Sequence, residues 1–133
     1  MVFPRAANSS LEQPEQTTPQ PVPKTKEAVQ AIAIKAAQRY GINEAQFLKT
    51  QSCEIKKYVE DGELVWDYEA QSDYINRKGI RENSWGAWQI HLTAHPEITK
   101  EQAQSVEWST DWAAQQFAQG NKRKWTCWQT YYG

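Results

Sequence analysis

The chain has 133 residues, with 15 Lys and Arg against 16 Asp and Glu and a formal charge of −1. That length holds one small domain and a flanking segment. The near balance of charge, with no basic run able to track phosphates, excludes an electrostatic nucleic-acid binder, and the absence of a window of about 18 apolar residues excludes a membrane-spanning helix.

Seven tryptophans are many for so short a chain. Tryptophan supplies both large burial and flat stacking surface, so the set is expected to divide between a core and a groove. Residues 1–24 read as a disordered or partly polyproline tail or linker. Five of the six prolines (Pro4, Pro14, Pro19, Pro21, Pro23) fall there among Gln, Ser and Thr. Such composition buries too little apolar surface to offset the entropy of ordering. Met1-Val2-Phe3-Pro4-Arg5 lacks the apolar run of a signal peptide, which leaves a removed signal or another export route as alternatives.

The domain is expected over residues 25–133. Val29, Ile32, Ala33, Ala36, Ala37 and Tyr40 fall on one helical face, and Gly41 is a natural stop. A second helix runs from the N-cap Asn43 to about Glu54, with Ile42 and Phe47 spaced for a hydrophobic staple. Phe47, Gln51 and Glu54 share a face of it, and Tyr58 would extend that face. A carboxyl beside buried apolar surface is desolvated, which raises its pKa and suits a general acid. The alternative is a solvated glutamate at a frayed helix end.

Tyr58 to Trp66 reads as a hairpin around the Asp61-Gly62 turn, which suits type I′ geometry. Residues 67–83 are polar and irregular, with a turn at Asn76-Arg77-Lys78-Gly79. Helical signals return after Ser84-Trp85-Gly86-Ala87-Trp88-Gln89-Ile90. Thr99 to Gln102 has the form of a capping box. Ser109 or Thr110 is expected to open a further helix, closed by Gly120, and Trp112, Phe117 and Trp125 are assigned to the core.

Two other chemistries have a footing. Cys53 with His91 or His95 could form the thiolate–imidazole dyad of a cysteine peptidase. His91 and His95 also have the spacing of a helical zinc pair, but Leu92 stands where a zincin carries Glu, Pro96 ends the helix, and no third ligand is evident.

Cys53-Glu54, the hairpin and loop, Ser84 to Ile90, His95-Pro96 with Ile98-Thr99, and Trp125-Thr126-Cys127-Trp128 occur in that order. Together they resemble the lysozyme-like domains of lytic transglycosylases and goose-type lysozymes, and are similar to resuscitation-promoting factors. The resemblance spans residues 27–133. It implies an α+β, mainly helical, lysozyme-like fold with a small β-hairpin and loop insertion. It makes Glu54 the proton donor to the glycosidic oxygen between N-acetylmuramic acid and N-acetylglucosamine. Ser84, Gly86, Gln89 and Ile90 match the family's Ser-x-Gly-x-x-Gln-Ile signature, which lines the sugar cleft. It further implies a Cys53–Cys127 disulfide, and with it an oxidising compartment. The expected protein is a monomer that is secreted, periplasmic or cell-wall associated, acts on peptidoglycan, and uses no cofactor or metal. The chain departs from the family at Ile55, where Ser is usual after the acid, and Lys56 and Lys57 follow. That departure bears on the hydrogen bonding of Glu54 and on how the helix enters the hairpin.

Glycoside cleavage needs an acid for the leaving oxygen and a second group for the oxocarbenium-like centre. An inverting hydrolase holds its second carboxylate roughly 6.5–9.5 Å away. Asp67, Glu69, Asp73 and Glu82 are candidates, and Glu82, beside the signature, is preferred. Without a second carboxylate, the muramyl 6-hydroxyl can attack intramolecularly and give a 1,6-anhydro product, with Glu54 as sole acid and base. The resemblance favours this transglycosylase route. Trp85, Trp88 and Tyr74 are candidate saccharide walls, because pyranose faces prefer flat aromatic partners. The non-enzyme alternative is a glycan-binding module, since fold alone does not establish activity.

Overall fold

The computed structural model describes residues 20–133. Most of the expected tail, residues 1–19, lies outside the described residues. The rest is an α+β, mainly helical arrangement with two small antiparallel sheets.

Helix α1, Lys26–Tyr40, opens where Thr25 Oγ1 accepts the N–H of Ala28. It closes at Gly41, whose φ of 64° lets its N–H reach back to the carbonyls of Ala37 and Gln38. Helix α2, Glu44–Glu54, is capped by Asn43, which accepts the N–H of Gln46. Strands β1, Lys56–Glu60, and β2, Glu63–Asp67, pair through a turn in which Asp61 and Gly62 have φ of 51° and 79°, the two positive values a type I′ turn requires. Strands β3, Ser84–Trp85, and β4, Ile90–His91, form the second sheet. Helix α3, Lys100–Gln104, carries the expected capping box between Thr99 and Gln102. Helix α4 follows at Val106–Ala118, then a 3₁₀ turn at Lys122–Lys124 and helix α5 at Thr126–Tyr132.

Helix α1 packs on α4 and α2, α2 on α5, and α3 on α4. The core joins the small-residue face of α1 to an aromatic cluster. Phe47 stacks on Trp88 with centroids 4.5 Å apart, and Phe117 and Trp125 meet Trp88 edge-on at 6.1 and 5.5 Å. Trp88 Nε1 donates to Thr110 Oγ1, and Trp125 Nε1 to the carbonyl of Trp88, so both buried indoles keep a partner. The Cys53–Cys127 disulfide ties the end of α2 to the start of α5.

Three expectations are corrected. Helix α4 begins at Val106, with Ser105 as its N-cap accepting from Trp108; Ser109 and Thr110 lie inside the helix and face the core. Tyr58 does not extend the face of α2, because the helix ends at Glu54 and Ile55 turns extended, which sends Tyr58 into β1. Residues 20–24 are not a free tail. The carbonyl of Lys24 accepts the N–H of Trp66, Tyr68 donates to the carbonyl of Val22, and Lys24 pairs with Asp67 and Glu69 at 3.2 and 2.8 Å. Val22 packs against the core, so this segment has both an apolar anchor and backbone partners despite its two prolines.

Candidate active site

The end of α2, the loop before β3, strand β4 and the turn before α5 enclose a cleft of about 320 Å³, lined by Glu54, Glu82, Gln89, His91, His95 and Trp112 among others. A second hollow of about 400 Å³ shares Glu82 and His91 with it and continues past Tyr74, Ile80 and Asn83. The two share Glu82 and His91 and so meet as one trough at those residues.

Glu54 stands where the periodicity of α2 puts it, beside the buried Phe47 and Gln51. Its Oε2 accepts the backbone N–H of Cys127 at 3.1 Å. Burial raises its pKa above the ordinary glutamate range; the Cys127 N–H opposes that shift, and the charge of Glu82 adds to it. The disulfide therefore joins the residue before the acid to the residue whose amide holds it.

Ile55, the residue after Glu54, is not among those that line the cleft. Ile55 is 2% exposed and belongs to the core, and its N–H completes the last turn of α2 at 2.9 Å from Gln51 O. Lys57 Nζ then reaches the carbonyls of Ser52 and Ile55, placing a cation at the negative end of the helix. Lys56 pairs with Asp73 at 2.9 Å and so ties the hairpin to the loop that carries Glu82.

Of the four candidate second carboxylates, Glu82 alone lines the cleft. Asp67 and Glu69 hold Lys24, and Asp73 holds Lys56 and Arg81. Ser84 is buried, with Oγ 2.6 Å from Glu82 Oε2 and 3.2 Å from His91 Nδ1, so it braces the wall from behind. Gln89 lines the cleft with φ of 47°, and its Nε2 donates to the carbonyls of Gly86 and Ala70, which pins the irregular loop to the signature turn. Gly86, at φ 86°, lets the turn press on α3, where a Cβ would overlap the carbonyl of Ala103. Ile90 is buried at the cleft floor.

The aromatic assignments are redistributed. Trp88 is 0% exposed and cannot meet a sugar. Trp85 packs on the core edge, donates to Asn83 Oδ1 and carries Lys100 over its ring, outside the residues that line the cleft. Tyr74, 62% exposed, lines the second hollow. Trp112, assigned to the core, is only partly buried and forms cleft wall, held edge-on between His95 at 5.2 Å and Trp125 at 5.9 Å. Trp125 is both core and cleft floor.

Sequence reasoning missed Trp112, His91 and His95 as members of this site. The signal available was two histidines directly downstream of the signature, whose side chains read in the sequence as zinc or thiol partners and not as cleft residues. The disulfide removes the thiol a cysteine peptidase would need. Among the described residues, no three His, Cys, Asp or Glu side chains gather as a metal site, and no helix is long and apolar enough to cross a membrane. Comparison of the chain with known protein families, with curated proteins and with solved structures found no match.

Proposed function

We propose that this chain is a lysozyme-like domain that cleaves the glycan strand of peptidoglycan at the β-1,4 bond between N-acetylmuramic acid and N-acetylglucosamine. The observation that carries this reading is Glu54, a desolvated carboxyl that keeps its proton longer than an ordinary glutamate and lines a cleft it shares with Glu82, His91 and Trp112. Trp112 offers an aromatic face in the same cleft. The disulfide fits an oxidising compartment such as a cell-wall space.

Glu54 donates its proton to the glycosidic oxygen as the bond to the muramyl anomeric carbon breaks. In the transglycosylase route the muramyl 6-hydroxyl attacks that carbon, its proton returns to Glu54, and a 1,6-anhydro end forms. A second reading, favoured by Glu82 on the same cleft, is hydrolysis with that carboxylate holding an attacking water. Mass spectrometry of the products from purified murein separates the outcomes. The expected result is anhydro-muramyl ends that vanish with Glu54→Gln. Reducing ends would instead identify a hydrolase, and intact strands from the wild type would overturn the reading in favour of a binding module.

A further inference from the structure

The loop wall of the cleft holds a chain of hydrogen bonds that the acid chemistry of Glu54 does not use. Ser84 Oγ sits between Glu82 Oε2 at 2.6 Å and His91 Nδ1 at 3.2 Å. A hydroxyl has one proton to give. The short contact to a carboxylate, which only accepts, takes that proton. Ser84 Oγ is then the acceptor on its other side, so His91 carries its hydrogen on Nδ1. In the neutral ring this leaves the lone pair on Nε2.

Backbone register holds the group together, because Ser84 and His91 are direct partners across β3 and β4. Ser84 is buried, whereas the His91 ring is exposed and borders both hollows. With Nδ1 turned inward to Ser84, the rest of the ring faces the trough. The other titratable groups lining this cleft are Glu54 from α2, Glu82 from the preceding loop, His95 from the turn after β4 and Lys124 from the 3₁₀ turn.

We propose, resting on the glycan-cleaving reading of the cleft, that His91 is its second acid–base residue, oriented by Ser84 and Glu82 so that Nε2 takes the proton of the attacking nucleophile. One step changes. The proton of the muramyl 6-hydroxyl, or of water, passes to His91 while Glu54 protonates the leaving oxygen. The new oxygen–carbon bond forms as the glycosidic bond breaks. Glu54 is left a carboxylate and His91 an imidazolium, and one proton returns from His91 to Glu54 through the open cleft before the next cycle. Ser84 and Glu82 are positioning residues in this scheme.

Two measurements on the full chain test it. Two-bond ¹H–¹⁵N correlation spectra of the neutral state should find His91 protonated on Nδ1, and Ser84→Ala should move it to the Nε2–H form. A wild-type His91 protonated on Nε2 would overturn the arrangement whether or not the protein cleaves murein. In the activity arm, His91→Ala should lower murein cleavage at least tenfold, with added imidazole restoring a substantial part. Unchanged cleavage by His91→Ala, or a loss that imidazole does not restore, overturns the role of His91 and leaves that of Glu54 standing. No cleavage by the wild type overturns the glycan-cleaving reading itself.

Discussion

The two walls of the cleft each present a glutamate, and their surroundings differ in kind. Glu54 ends a helix, stands against core and is held by one backbone amide from a segment stapled through the disulfide. Glu82 sits in an irregular polar loop and receives the hydroxyl of Ser84. Desolvation favours the protonated acid on the helical wall, whereas on the loop wall the carboxyl serves as the acceptor that orients the Ser84 hydroxyl. Identical side chains thus stand in different settings on the two walls that carry them.

The sharpest way to break that comparison is to exchange the two carboxyls for amides. Glu54→Gln keeps shape but removes the transferable proton, and should lower murein cleavage by at least about 100-fold, the usual contribution of a general acid. Glu82→Gln should cost less, because it removes an orienting acceptor and leaves the acid in place. Equal losses in product release would erase the distinction between the walls.

The staple on the helical wall comes next. The bridge closes a separation of 74 residues, which in the chain-entropy model stabilises by about 4 kcal/mol. Reduction should lower the melting temperature by on the order of 10 °C or more, at a few degrees per kcal/mol for a domain of this size. An unchanged melting curve with and without reductant would mean that α5 is held without the bridge.

The signature segment offers a comparable contrast within three residues. Trp88→Ala empties the centre of the aromatic cluster and should cost about 3–5 kcal/mol by denaturant unfolding. Trp85→Ala, at the core edge, should cost about 1 kcal/mol. Similar values would mean that both rings share the core.

Much of this was legible in the sequence because it rests on local chemistry. Asn43, Asp61-Gly62 and the Thr99–Gln102 box each settle their own few residues through hydrogen bonds or positive φ. Glu54 was legible for the same reason: helical period alone puts it beside Phe47 and Gln51. The failures are long-range. Ser105, Ser109 and Thr110 are all competent caps, and only packing of Ser109 and Thr110 into the core selects Ser105. Trp85, Trp88 and Trp112 are one residue type, and which of them meets core or cleft depends on α3 and α4 closing over the signature turn. The docking of Val22 depends on Tyr68, far along the chain.

The smallest effect expected is in stability against pH. The Glu54 pKa is raised on folding, so the folded state binds its proton more tightly than the unfolded chain. That contribution is complete below the unfolded glutamate pKa and is lost as pH rises through the raised folded value. Glu54→Gln should therefore be more stable relative to wild type near neutral pH than in mild acid. A constant difference between their unfolding free energies across that range would contradict the desolvated setting.

The central claim is that the helical wall keeps the Glu54 carboxyl protonated beyond the ordinary glutamate range. Following the side-chain carboxyl ¹³C shift of Glu54 against pH reads this directly. The account predicts a midpoint above that of a free glutamate, moving down in Glu82→Gln as the neighbouring charge is removed. A midpoint at or below the free value would contradict it.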